Sequence, residues 1–119
     1  MHCTAAGKAI LAHMPEAEVE EIIAEEGLPS YTSHTITDAE TLYDELERIR
    51  EQRYALNNEE VVHGNKGIGA PVIHDNGEVA GAISISGPAS RFSGPLYEDE
   101  LPNLVTRSAN VIEINAQFS

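Results

Sequence analysis

Residues 67–87 read Gly67-Ile68-Gly69-Ala70-Pro71-Val72-Ile73-His74-Asp75-Asn76-Gly77-Glu78-Val79-Ala80-Gly81-Ala82-Ile83-Ser84-Ile85-Ser86-Gly87. Two apolar, partly β-branched runs, Ile68 to His74 and Val79 to Gly87, flank Asp75-Asn76-Gly77-Glu78. Asn-Gly between such runs is the strongest short-range hairpin signal a sequence carries. Asn76-Gly77 is read as a two-residue type I′ turn, which makes Asp75 face Glu78. Counting outward sets Gly69 opposite Ser84 and Gly67 opposite Ser86. Side chains alternate along a strand, so Gly67, Gly69, Ser84 and Ser86 share one face, while Ile68, Ala70, Val72, Ile83 and Ile85 share the other. The first face is a floor of small, hydroxyl-bearing residues with room above it. Glycines weaken a strand and ask for a reason; close approach of a ligand and close packing of a helix or bulky side chain are both open.

Around this hairpin the apolar spacing is helical. Thr4 to His13 carries Ala5, Ala6, Ala9, Ile10 and Ala12 around Gly7, which predicts a short helix able to pack closely. Pro15 suits the first turn of a second helix running to about Glu26, with Glu16 and Glu18 at its positive end and Gly27 at its stop. Val19, Ile22 and Ile23 mark its buried stripe. Thr37-Asp38-Ala39-Glu40 matches a capping box, and Leu42, Leu46 and Ile49 recur at helical spacing up to about Arg53. Tyr54 to Leu56 predicts a short strand, followed by the polar segment Asn57-Asn58-Glu59-Glu60. Beyond Pro88 and a loop with Phe92, Gly94 and Pro95, the residues Leu101, Leu104, Val105, Val111 and Ile112 describe one face of a closing helix that packs on the sheet. No repeat, low-complexity tract or linker divides the chain, so one α/β (α+β) domain over residues 1–119 is expected.

Composition narrows the function classes. The chain has 119 residues, 41% of them hydrophobic, enough for one core. Twenty Asp and Glu against seven Lys and Arg give a net charge of −13, which repels phosphate backbones and argues against direct contact with DNA. Lys8 and Lys66 are the only lysines, and an acidic, lysine-poor surface also suits life in high salt. Cys3 is the only cysteine, so no intramolecular disulfide and no four-cysteine zinc site can form, which fits a reducing compartment. Apolar runs are short and the start lacks a signal-peptide pattern, so a cytoplasmic chain with no membrane partner is expected.

Motifs of enzyme chemistry are weak. Gly64-Asn65-Lys66-Gly67-Ile68-Gly69 lacks the Gly-Lys-Ser/Thr ending and following helix of a phosphate loop. A nucleophile elbow at Ser84 would need glycine in place of Ala82, and Ser86 runs into Gly87-Pro88 without a helix. His2, His13, His34, His63 and His74 are scattered, so no metal site is predicted. Glu59-Glu60 reads as a solvated polar loop. Neither a catalytic residue nor a cofactor is expected.

The order of motifs is more specific: His2-Cys3-Thr4-Ala5-Ala6-Gly7-Lys8-Ala9, Gly27-Leu28-Pro29 with Tyr31-Thr32, Thr35-Ile36-Thr37-Asp38, Arg53-Tyr54-Ala55 with Glu59-Glu60, Gly64, Ala70-Pro71-Val72, and Ile83-Ser84-Ile85-Ser86-Gly87-Pro88. Over essentially its whole length the chain resembles the C-terminal effector-binding domain of IclR-type transcriptional regulators. The resemblance implies a GAF-like fold, an antiparallel sheet flanked by helices with a small-molecule pocket, in a homodimer or homotetramer. It also implies a preceding winged helix-turn-helix domain that binds DNA. That domain and the opening part of the effector domain are not visible here, so the chain is expected to be a partial effector domain with an exposed sheet edge, exposed apolar surface and a tendency to self-associate. By resemblance the effector contacts fall at Ala5 and Ala6, through backbone N–H groups at a helix start, and at Asn57, Gly67, Ser84 and Ser86. The family often has an acidic residue at the place of Asn57, arginine at Lys66 and cysteine or serine at Gly67. A roomier, less anionic pocket is therefore expected, taking a small organic acid or related metabolite that is larger than, or shaped differently from, the smallest oxoacids. An oligomerisation domain with a vestigial pocket is the alternative.

Overall fold

The computed structural model of the chain describes residues 1–117. Thr4 is extended and its Oγ1 accepts from the Gly7 N–H at 2.9 Å, which starts helix α1 (Ala5–Ala12). Helix α2 (Glu16–Glu26) follows Pro15 and stops at Gly27. Helix α3 (Ala39–Gln52) is capped by Asp38, whose carboxylate accepts from the Thr41 N–H at 2.9 Å. The capping box is thus displaced by one residue: Asp38 takes the role expected of Thr37, and Glu40 falls one place short of the reciprocal position. Arg53 ends α3 in the left-handed region at φ 74°. Strands β1 (Ala55–Asn58), β2 (Asn65–Ile73) and β3 (Val79–Pro88) form an antiparallel sheet in the order β1-β2-β3. A π-helical turn at Leu96–Glu100 leads into helix α4 (Leu101–Gln117).

The hairpin register is the predicted one, with Gly67 opposite Ser86 and Gly69 opposite Ser84, but the turn is not. The Gly77 N–H donates to the His74 carbonyl and the His74 N–H to the Glu78 carbonyl, closing a three-residue loop with Gly77 at φ 90°. Asn76 does not share that positive φ, which a type I′ turn requires. The longer loop offsets the pairing by one residue, and a bulge at Val72/Ile73 restores it, leaving Ala80 unpaired between Val79 and Gly81.

Helix α1 lies between the sheet and α3, where Ala9, Leu11, Leu46, Ile49 and Ala55 are buried together. On the other side α4 covers Ile68 and Ala70 with Leu101, Val105 and Ala109. The result is one α+β domain with the sheet in its middle layer. The buried stripe of α4 differs from the predicted face. Leu101 and Val105 are inside, but Leu104, Val111 and Ile112 are 50%, 55% and 42% exposed, because the helix turns its Leu101-Val105-Ala109 ridge to the sheet. Among the described residues β3 pairs only with β2, which leaves its outer edge open. No helix among them is long and apolar enough to cross a membrane.

His13 closes α1, and its Nε2 is enclosed without a hydrogen-bond partner among the described residues. Burial first, then the charges of Arg53 and Arg50, hold its imidazole below the ordinary histidine range, against a smaller opposing pull from Glu113. The folded state therefore binds this proton less readily than the unfolded one. The stabilisation is complete above the ordinary histidine pKa and is lost as pH falls through and below it. The melting temperature is expected to drop between about pH 7 and pH 5, and the drop should shrink in His13→Phe. An unchanged pH profile in that variant would exclude His13 as its source.

Candidate functional site

The two glycines of the floor do different work. A Cβ at Gly69 would stand 2.9 Å from the Ala5 carbonyl carbon and 3.0 Å from the Ala6 nitrogen, so the missing side chain is what lets the α1 backbone sit on the sheet. At Gly67 the nearest atoms to such a Cβ are the Ile85 carbonyl oxygen at 3.4 Å and Ser86 Cβ at 3.5 Å, ordinary contacts that leave space above. Of the two uses left open by the sequence, helix packing explains Gly69 and open space explains Gly67.

That space is a cleft of about 380 Å³, and Ala5, Ala6, Asn57, Gly67, Ser84 and Ser86 all line it, together with Thr4, Val61, Asn65 and Ile85. The structure thus brings every sequence-predicted site residue to one place. Ala5 and Ala6 open α1, where N–H groups have no acceptor within the helix, and Thr4 uses its hydroxyl on the Gly7 N–H instead. Asn57 sits beside Gly67 on β1, and its Oδ1 accepts from the Glu60 N–H at 2.9 Å. Ser84 and Ser86 are exposed on β3 at the open edge of the sheet. Among the described residues no charged one lines the cleft, in a chain of net charge −13. Its chemistry is hydrogen bonding from amides and hydroxyls, and no base is among the described residues that line it. A larger groove of about 600 Å³ lies between the α1–α2 corner and the hairpin tip, but Glu18 and Glu78 border it and none of the predicted residues does.

Between the start of α1 and the end of β1 lies a buried ion pair that the sequence reading missed. Lys8 is 1% exposed, and its Nζ donates to Glu60 Oε2 at 2.7 Å and to the Leu56 carbonyl. Glu60 is 6% exposed, so the expected solvated loop at Glu59-Glu60 is corrected at Glu60, which turns inward to the Lys8 ammonium, while Glu59 accepts from the exposed Gly64 N–H at 2.7 Å. The available signal was a lone lysine inside the helix of small apolar residues Ala5-Ala6-Gly7-Lys8-Ala9-Ile10-Leu11-Ala12. From the opposite face of the sheet, the Tyr97 hydroxyl donates to the Asn57 carbonyl at 3.2 Å and lies 3.4 Å from that of Gly67. Burial, then the charge of Glu60, pushes the Tyr97 phenol up to about 12, so it remains a donor at neutral pH. Lys66 stacks its ammonium 4.9 Å from the Tyr97 ring centre on that far face and does not line the cleft.

Comparison with known proteins gives this fold and cleft a family. The family model "Bacterial transcriptional regulator IclR C-terminal" matches residues 1–114, and the chain belongs to the IclR family of transcriptional regulators. It is 38% identical over 117 residues to the "Probable HTH-type transcriptional regulator ArcR" of Halobacterium salinarum, covering 98% of this chain and 44% of that protein. The chain thus spans less than half the length of this curated relative. Among solved structures it is similar to the Thermotoga maritima IclR, with a TM-score of 0.88 and 36% identity, over 96% of this chain and 46% of that one. It is also similar to the inducer-binding domain of PobR from Acinetobacter, solved as a double mutant with 3-hydroxybenzoic acid. The TM-score there is 0.84 and the identity 30%, over 94% of this chain and 64% of that one.

The two glycines predict opposite outcomes. Gly69→Ala is expected to lose about 1–3 kcal/mol in chemical denaturation, since backbone atoms of α1 must move. Gly67→Ala is expected to stay within about 1 kcal/mol of the wild type. Equal losses in the two variants would contradict this account of how α1 is seated.

Proposed function

We propose that the chain is the small-molecule sensing part of an IclR-family regulator, and that the cleft over Gly67, Ser84 and Ser86 holds a small organic acid. The observation that carries the reading is a cleft lined by helix-start N–H groups, a carboxamide and two hydroxyls, with no carboxylate among them. Such a set suits a carboxylate or another oxygen-rich group, whose charge the helix start also favours. The PobR inducer-binding domain, solved with an aromatic hydroxy acid, supports an acid of that kind. With no side chain at Gly67 the cleft has room for an acid larger than a two-carbon oxoacid.

In this reading Ala5, Ala6, Asn57, Gly67, Ser84 and Ser86 contact the effector, and no cofactor takes part. The regulator acts in the cytoplasm and meets DNA through a winged helix-turn-helix domain outside residues 1–119. Effector binding biases the arrangement of subunits, which requires the ligand to prefer one quaternary state. The open edge of β3 and the exposed Leu104 and Val111 on α4 favour self-association of this chain as a dimer or tetramer. The same surfaces are what a purely oligomerising domain with a vestigial pocket would present.

A thermal-shift titration at high salt with glyoxylate, pyruvate, gluconate and 3-hydroxybenzoate separates the two. A dose-dependent rise in melting temperature is expected for at least one of the larger acids. Removing both hydroxyls in Ser84→Ala/Ser86→Ala should weaken that acid by about 1–3 kcal/mol, roughly 5- to 150-fold in affinity. Unchanged affinity in the double variant would remove the serines from the site, and silence across the panel would leave the oligomerising domain.

A further inference from the structure

We propose that Lys8 and Glu60 are positioning residues for the cleft. Resting on the effector-site reading above, the inference is that their buried pair sets the spacing of its two walls and presents Asn57 to a ligand as a hydrogen-bond donor. One wall is the start of α1 and the other is the end of β1. Lys8 lies one turn into α1 from Ala5, and its side chain crosses to the second wall. There its ammonium takes the carbonyl of Leu56, the residue before Asn57, and the carboxylate of Glu60 at 2.7 Å. Glu60 in turn closes the segment it ends. Its Oε2 accepts from the Asn58 N–H at 3.2 Å, and its own N–H donates to Asn57 Oδ1 at 2.9 Å.

The last contact fixes which end of the carboxamide faces the cleft. A backbone N–H must meet an acceptor, so the oxygen of Asn57 is committed to Glu60 and the NH₂ group is the end left for the cleft. Asn57 is 6% exposed and lines the cleft, and its Nδ2 has no protein acceptor among the described residues, whereas the other oxygen of Glu60, Oε1, is enclosed and unpaired. Glu60 therefore depends on Lys8 for its charge compensation, and the orientation of Asn57 depends on Glu60 staying where it is. With Asn57 presented as a donor, the carboxamide, the Ala5 and Ala6 amides and the two hydroxyls can all donate at once. The pair thus tunes the cleft for an acceptor-rich ligand without touching that ligand.

The test separates position from stability. Lys8→Met alone strands a buried carboxylate and is expected to unfold. In Lys8→Met/Glu60→Leu the buried charges are replaced together, and such replacements often keep or raise stability. This double variant is expected to melt cooperatively near the wild type, yet to bind 3-hydroxybenzoate at least ten-fold more weakly. The side-chain NH₂ resonances of Asn57 should move away from their wild-type positions, a change that needs no ligand. Glu60→Gln keeps the shape but leaves the buried Lys8 ammonium without a counter-charge, so it is expected to melt below the double variant and, at temperatures where it is folded, to lose two- to five-fold in affinity with a smaller movement of the same resonances. Wild-type affinity and unmoved Asn57 resonances in the folded variants would overturn the proposal. If the wild type itself ignores 3-hydroxybenzoate, the resonances still decide the positioning role: moved signals would uphold it, while the aromatic-acid reading of the effector alone would fall.

Discussion

The structure depends on a helix backbone lying directly against a strand at Gly69, where there is no side chain to keep them apart. At this separation even one methyl group would collide with carbonyl and amide atoms, which cannot rotate away as a side chain can. Everything on that face of the sheet follows from the contact. It brings the first turn of α1 over the floor, carries Lys8 into the interior, and lets α3 close behind with Leu46 and Ile49. A larger residue at Gly69 would lift α1, and the layer behind it would lose its seat.

The same contact determines the electrical character of the cleft. A protein with twenty acidic residues has a mostly negative surface, yet the start of α1 brings unpaired N–H groups and the positive end of a helix to a place no carboxylate lines. The interior contributes as well: beside the cleft, the buried Lys8 and Glu60 neutralise each other at 2.7 Å. On the far side Tyr97 donates to a carbonyl of the floor and stays neutral, and the Lys66 ammonium is held over its ring on the face away from the cleft. Local neutrality in an acidic molecule lets hydrogen-bond geometry, instead of long-range attraction, choose what enters.

Much of this was legible in the residues. Period-two alternation placed the serines and glycines on one face, and period 3.6 placed Leu42, Leu46 and Ile49 inside, because burial acts on those periods directly. What failed was local chemistry with near-equivalent solutions. Asn76-Gly77 suits a two-residue turn, but Gly77 is equally suited to close a three-residue loop, and the register survived only because the Ala80 bulge offsets the difference. Thr37 and Asp38 are both good caps, and the sequence alone does not choose between them. On α4, apolar residues occur on more than one side, so periodicity could not say which ridge meets the sheet. Glu60 was misread because its partner is 52 residues away, and a solvated carboxylate and a buried one are the same letter until the lysine is placed.

The compensated hairpin has a meaning for ancestry. Loop and bulge act as offset and counter-offset of one residue each, so a chain that lost both would keep every pairing from Val72 to Asn65 unchanged. Hairpin tips are where insertions and deletions are most readily tolerated. Lineages can therefore shorten or lengthen this tip while the serines stay opposite the glycines, because the loop and the unpaired Ala80 absorb the change outside the pairs that form the floor.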